Sequence, residues 1–381
     1  MTSVFPLDPV ALTEALVRID SRNPSLVPGA PGEHACAEFL ADVLQSWGFA
    51  VDLQEVAPGR TNVIARVGPV GVSPLVLNGH LDVVGVDGMT HAPFDPMIHD
   101  GNLYGRGATD MKAGIAAMCV AAARAAGRRA LHREIIVAAV CDEEFASIGT
   151  RALLAGGLQA TAAIITEPTR LSVVPAHKGF AWLEVVVQGR AAHGSRYDVG
   201  IDANRMAARF LMALDRYDRE ELTTRTHPLL GRASVHAPIV QGGTGWSTYA
   251  EQCVVRLERR TLPGETADQM SREMQVVIDA LHAEDPSFVA TCTLGGAQPP
   301  LDLPIDHPLV DALRGACRTQ GGEGHVDGLF CWTDAALFAE AGIPAVCFGP
   351  GDIARAHSAT EWVEVEQIQA AAAILETVLA G

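Results

Sequence analysis

The rhythm of apolar and polar positions changes three times along this chain of 381 residues. Between about residues 8 and 48 apolar side chains recur at helical spacing, as in Ala37, Leu40, Val43, Leu44 and Trp47. A Pro- and Gly-rich stretch at 23–32 separates two predicted helices there. From Val51 to Phe180 short apolar runs alternate with Ala-rich helical stretches. The runs at 135–140 and 162–165 are continuously apolar, as strands covered on both faces are. That alternation predicts a largely parallel sheet flanked by helices. Near Lys178 the texture shifts. A less uniformly apolar strand at 182–188 is followed by a helix at about 202–217 and strands at 233–240 and 252–258. A helix at 266–281 and a strand at 288–294 follow. The order strand–helix–strand–strand–helix–strand is that of a small split-βαβ, ferredoxin-like sandwich. The α/β texture then returns, with helices at 308–320 and 334–341, a strand at 343–348 and a closing helix at 365–379.

The expected fold class is therefore α/β. A discontinuous domain with a largely parallel mixed sheet spans residues 1–177 and 296–381, and an α+β domain is inserted at 178–295. The length alone favours two cores over one.

Composition removes several function classes. The formal net charge is −17, the wrong sign for a nucleic-acid or anionic-membrane partner. No apolar run approaches the roughly 20 residues needed to span a bilayer. The first nineteen residues carry acids and lack a basic start followed by an apolar core, unlike a secretory signal. Eight cysteines include no C-x-x-C pair, and several lie within apolar runs, where the residue acts as a small hydrophobe. A reduced, cytoplasmic protein is expected.

Candidate chemistry gathers where apolar runs end. His80 comes after the run ending at Leu77, Glu143 and Glu144 after 135–141, Glu167 after 162–165, and His357 after 343–348. Asp110 opens the helical stretch 111–126. In open α/β sheets, ligands bind beyond the carboxyl ends of the strands. Two histidines and three carboxylates converging there suit a pair of zinc-like ions that activate a water. Each residue also has a plainer explanation: a loop histidine at His80, a capping acid at Asp110, a solvated turn at 142–144. The plain explanations do not account for all five together. Asp82 stands two residues after His80, on the same side of an extended segment, so its carboxylate is expected to hold the ring nitrogen that faces away from a metal. Of the adjacent glutamates, one would bind metal and the other would stay free as a general base. Pro168 restrains the backbone of Glu167.

These motifs resemble, in order and from about Asn62 to Trp362, the dizinc amidohydrolases and metallopeptidases. That family includes acetylornithine deacetylase, succinyl-diaminopimelate desuccinylase, aminoacylase and glutamate carboxypeptidase. The resemblance rests on Asn78-Gly79-His80-Leu81-Asp82, on Gly105-Arg106-Gly107-Ala108-Thr109-Asp110-Met111-Lys112, on Asp142-Glu143-Glu144, on Thr166-Glu167-Pro168 and on His357. It implies that His80 and Glu167 hold one zinc, Glu144 and His357 the other, and Asp110 bridges. Glu143 would be the base and Asp82 the residue behind His80. Ala192-His193-Gly194-Ser195 resembles the motif of a lid and dimerisation domain, whose histidine holds the scissile carbonyl, often across a homodimer interface. Arg260, within Glu258-Arg259-Arg260-Thr261-Leu262-Pro263-Gly264, aligns with an arginine that grips the substrate carboxylate. Ser247 and Gly349 fall at further substrate-contact positions. Ser247 stands where desuccinylase-like members have asparagine, and Ala250 where they have proline, so their substrate contacts do not transfer directly.

The resemblance implies hydrolysis of the amide bond of an N-acyl amino acid, with the stretch 348–357 most like the acetylornithine deacetylase branch. A dipeptidase or carboxypeptidase is the alternative within the family. A metal-free binding module is the alternative outside it, and degraded ligands would support that; none is degraded. Cobalt or manganese could replace the two zinc ions, since carboxylate-rich sites accept several metals.

Overall fold

The computed structural model describes residues 4–128 and 131–381. Residues 1–3 of the stretch read against a secretory signal lie outside them. The chain divides into two units. One comprises Met1–Pro175, Leu303–Asp327 and Thr333–Gly381, and the other Ala176–Asp302 with Gly328–Trp332. The five residues Gly328–Trp332 return to the inserted unit from a stretch whose texture reads as the larger domain.

The larger unit is built on strands β1 (Ala50–Ala57), β2 (Arg60–Val67), β3 (Leu75–His80), β4 (Ile135–Val140), β5 (Ala162–Ile165) and the first residues of β6 (Val173–His177). The inserted unit adds β7 (Gly179–Gln188), β8 (Ser234–Gly242), β9 (Gln252–Thr261) and β10 (Val289–Gln298), and β11 (Ala345–Cys347) returns to the first sheet. That first sheet runs β1-β2-β4-β3-β5-β11-β6. Its centre, β4-β3-β5-β11, is parallel. The pairs β1–β2, β2–β4 and β11–β6 are antiparallel. The apolar runs explain the centre: every residue of β3, β4, β5 and β11 is buried. Helices α1 (Pro9–Val17), α2 (His34–Ser46), α3 (Ala113–Gly127) and α4 (Ile148–Ala155) belong to this unit. Helix α3 is nearly all alanine and other small residues, and it is buried along almost its whole length. Such side chains leave room for close approach. At Gly114 even a methyl group would overlap the main-chain oxygen of Thr166, so the helix start sits directly on the end of β5.

In the inserted unit, α5 (Ala203–Glu220) and α6 (Ala267–Glu284) accompany a wholly antiparallel sheet of order β8-β9-β7-β10. This is the split-βαβ arrangement. Asp202 and Thr266 cap the two helices through their side chains. A separate core of Leu183, Val185, Phe210, Leu257, Met274 and Phe288, among others, holds the unit together. The larger unit is completed by α7 (Pro308–Thr319), α8 (Ala335–Glu340) and α9 (Val365–Ala380). No helix among the described residues is long and apolar enough to cross a membrane.

One boundary differs from expectation. Asp110 does not open a helix. Residues 108–112 form an irregular turn in which Asp110 (φ −120°, ψ 91°) and Met111 (φ −136°, ψ 36°) are extended or bridging, and the helix begins at Ala113. The capping explanation of Asp110 therefore fails.

Candidate metal centre

His80 ends β3, and its imidazole is buried. Its Nδ1 lies 2.9 Å from the main-chain oxygen of Asp82. A carbonyl can only accept, so Nδ1 carries a hydrogen, and Nε2 is the nitrogen that faces Asp110 Oδ1, 3.0 Å away, donating to it when the ring is protonated and free to bind a metal when it is neutral. The expected carboxylate contact is displaced: Asp82 Oδ1 is 3.8 Å from Nδ1. The carboxylate is engaged elsewhere. It accepts the amides of Glu143 and Glu144 at 3.1 and 3.2 Å and the side-chain amide of Asn23 at 2.8 Å.

The turn after β4 presents the two glutamates. Asp142 adopts a left-handed conformation (φ 69°), and its carbonyl accepts the amides of Phe145, Ala146 and Ser147. A non-glycine residue there needs support. Its carboxylate receives Arg60 at 2.8 Å and Asn23 at 3.0 Å, and Arg60 in turn holds the buried Glu33 through two 2.6 Å bonds. Asn23, Glu33 and Arg60 are site-supporting residues that sequence reasoning missed. They are single polar residues of the N-terminal stretch, with no periodic signal.

His357, about half exposed, also has a left-handed backbone (φ 57°). Its Nε2 lies 3.0 Å from Glu144 Oε1 and 3.4 Å from Asp110 Oδ2. Asp110 thus offers one oxygen to each imidazole. Glu167 follows β5, and the close approach of Gly349 fixes the main chain there. A methyl group at Gly349 would lie 2.5 Å from the main-chain oxygens of Thr166 and Glu167. Gly349 also donates its amide to Thr169 Oγ1, and its carbonyl accepts Leu171 N–H. These bonds fix the main chain at this close approach.

Two donor sets result: His80, Asp110 and Glu167, and Asp110, Glu144 and His357. Within each set the ligand atoms lie within 4.8 Å of one another. Glu143 belongs to neither set, and its Oε2 is 4.0 Å from His80 Nε2. Burial, with the charges of Glu167, Asp334 and Glu144 outweighing His80, raises its pKa well above the usual glutamate value. Burial and the charge of Asp110 raise Glu167 strongly and Glu144 less. Burial works against charge on His80, yet its hydrogen bond to Asp110 and the nearby acids hold its pKa well above the usual value. Hydrogen bonds to Asp110 and Glu144 push His357 up to about 10. Burial opposes ionisation of Asp110, but the two imidazoles prevail and keep it below the usual carboxylate range. Asp334, also missed from the sequence, is a buried acid that burial raises to about 6; Thr150 donates to it at 2.5 Å. The donors fit divalent cations. The set mixes neutral-capable imidazoles with carboxylates, and buried acids crowd together around protonated rings whose protons a cation would displace.

Comparison with known proteins decides the family. The model of "Peptidase family M20/M25/M40" matches residues 76–381. The chain belongs to this peptidase family. An acetylornithine deacetylase of Myxococcus xanthus is 30% identical over 395 residues, covering 100% of this chain and 98% of that protein. A deformylase of Bacillus subtilis (strain 168) that acts on N-formyl-4-amino-5-aminomethyl-2-methylpyrimidine is 28% identical, covering 90% of this chain and 87% of that one. Among solved structures, the M20 family metallo-carboxypeptidase Sso-CP2 from Sulfolobus solfataricus superposes with a TM-score of 0.82 over 98% of both chains, at 17% identity. This M20 chain is thus a hydrolase of the amidohydrolase and metallopeptidase kind, and the two donor sets are its candidate metal site.

The remaining candidates lie in the inserted unit. His193 is exposed, with Nδ1 2.8 Å from Ser195 Oγ, and it forms an isolated bridge with Thr248. Ser247 is exposed, and its carbonyl accepts the amide of Gly194. Arg260 donates from Nε to Glu258 at 2.7 Å and stacks 5.5 Å over the Phe180 ring.

Proposed function

We propose that this M20 chain removes a short acyl group from a small N-acyl amino acid by metal-dependent hydrolysis of the amide bond. The observation that carries this is the pair of donor sets sharing Asp110, with the buried Glu143 beside them. The matched deacetylase and deformylase, both acting on small acyl groups, favour deacylation over peptide cleavage. Two zinc ions are the proposed occupants, with cobalt or manganese as alternatives. His80 and Glu167 would hold one, Glu144 and His357 the other, and Asp110 both. Bound there, the ions supply Lewis acidity that polarises the carbonyl and lowers the pKa of water.

The chain's own residues do the rest. Asp82 fixes the tautomer of His80 through its main-chain oxygen and the backbone of Glu143 and Glu144 through its carboxylate. Glu143 accepts the proton of the attacking water and later delivers it to the leaving amine. Burial and the neighbouring acids raise its pKa, which suits a group that must take up a proton and hand it on. Arg260, released from Glu258, would pair with the substrate carboxylate, and Ser247 would contact the amino-acid side. The working form is a homodimer in a reducing cytoplasm. Strand β8 is an edge strand that exposes Ile239 and Val240, a surface a second copy can cover. The partner's His193 would then hold the scissile carbonyl.

A substrate panel of N-acetyl, N-formyl and N-succinyl amino acids and dipeptides, assayed with added zinc or cobalt, tests this reading. Turnover is expected on the short N-acyl compounds. Exclusive cleavage of dipeptides would replace deacylation by the peptidase reading, and activity in protein shown to be metal-free would end the metal reading.

A further inference from the structure

Glu361 is fully buried beside the donor sets, yet neither set includes it. Its Oε1 accepts the amides of Thr109 and Asp110 at 3.0 and 3.1 Å. Its Oε2 accepts the amide of Gly107 at 3.0 Å and Arg106 Nη1 at 2.7 Å. Four donors of one loop thus converge on one carboxylate. The loop needs such an acceptor. It is irregular, with Gly107 in the left-handed region (φ 81°), so these amides have neither helix nor ladder partners. Glu361 is itself held in register. The next residues, Trp362–Glu364, pair with Asn102–Tyr104, and the carbonyl of Glu361 accepts the amide of Gly105. Four residues before it stands His357. One acid therefore ties the segment carrying His357 to the loop carrying Asp110.

Asp110 turns Oδ1 toward His80 and Oδ2 toward His357. Both contacts depend on how the backbone presents Asp110, and Glu361 holds the amide of that residue. We propose that Glu361 is a positioning residue of the metal centre, fixing Asp110 so that its carboxylate serves both donor sets. This rests on the reading that the sets hold divalent ions. Because Asp110 is shared, loss of Glu361 weakens both sites together.

The test uses full-length protein stripped of metal, with zinc titrated against a competing chelator, and thermal unfolding of the metal-free state as a second readout. Glu361→Gln keeps the shape but turns one acceptor into a donor that faces N–H groups. Thr109→Val is the control. It removes the 2.5 Å bond from Thr109 Oγ1 to the carbonyl of Trp362, which ties the same two segments, and leaves the amide of Asp110 untouched. The expected result is a loss of zinc affinity of about 10–100-fold in Glu361→Gln, with Thr109→Val less stable but within about two-fold of wild-type affinity. Two-ion binding at wild-type affinity in folded Glu361→Gln overturns the proposal. So does an equal loss in Thr109→Val, which would make Glu361 a structural tie only. If Glu361→Gln does not fold, Glu361→Asp keeps both oxygens on a shorter arm, and wild-type affinity there overturns the proposal equally. Wild-type protein that takes up no zinc would instead sink the underlying metal reading.

Discussion

Replacing Glu143 by glutamine should move activity and stability in opposite directions. Glutamine matches the size of the side chain but cannot accept the proton of an attacking water. Loss of a general base costs about 10²–10⁴ in rate, or about 2.7–5.5 kcal/mol of barrier. Metal content should not change, because Glu143 lies outside both donor sets. Stability follows from the environment. Burial and the charges of Glu167, Asp334 and Glu144 raise the pKa of Glu143 in the folded chain well above its unfolded value. The folded state therefore binds more protons than the unfolded state, and stability falls as pH rises from about 4.5 through the folded pKa. Glutamine removes that penalty. Metal-free Glu143→Gln should match or slightly trail wild type near pH 4.5 and exceed it in melting temperature at neutral pH. The assay pairs turnover of an N-acetyl amino acid at measured metal loading with melting curves of metal-free protein across pH. Near-wild-type turnover at full loading would refute the assignment of the base. A melting difference that does not change with pH would refute the electrostatic account.

The imidazoles make a second case. In metal-free protein His80 and His357 carry protons at neutral pH, so zinc uptake should release protons and its affinity should rise with pH by about one log unit per pH unit for each proton displaced. Calorimetry in buffers of different ionisation enthalpy reads this directly, and a flat profile between about pH 6 and 9 would contradict it. The stability these pairs lend the metal-free chain should be complete below about pH 6.5 and decline as pH rises through about 10. Gly349→Ala should lower both melting temperature and metal affinity, by about 1–3 kcal/mol in stability, because the new methyl must push the main chain of Thr166 and Glu167 aside. Unchanged values of both would show that this approach is not tight. Mixing inactive His193→Ala with inactive Glu143→Gln should restore about a quarter of wild-type activity if subunits exchange and the partner's His193 serves each site. No recovery despite verified exchange would mean that each chain uses its own.

The parallel centre of the sheet was legible because burial on both faces leaves an unbroken apolar run, as in Ile135–Val140. The same burial explains why the candidate ligands were legible. A polar residue at the close of such a run marks the strand's end: His80 is the last residue of β3, Glu167 comes just after β5, and Glu144 sits in the turn after β4. The shape of the turns was not legible. Whether Asp82 offers His80 its carboxylate or its carbonyl depends on a backbone bend that leaves no periodic trace. The loop before α3 reads as a helix start because Asp110 precedes an Ala-rich stretch, yet its irregular geometry is stabilised by Glu361, about 250 residues later. Arg60, Glu33 and Asn23 join Asp82 and Asp142 across similar gaps in sequence. Long-range polar contacts of this kind are specified by the fold as a whole.

Those hidden contacts bear on why the site can exist at all. Asp82, Asp110, Asp142, Glu143, Glu144, Glu167 and Asp334 all lie on the same strand ends or packed against them, mostly out of water. Like charges so placed oppose folding unless each has a partner. The partners fall into two groups. Asp82 and Asp142 are held by backbone amides, Asn23 and Arg60, all provided by the chain itself. Asp110 and Glu144 face the two imidazoles, with Glu167 grouped beside His80, and the imidazole protons hold places that divalent ions can take. The first group forms a fixed frame and the second a replaceable charge. An ion entering such a site displaces protons from groups already in position, so little of its binding energy goes into ordering the chain.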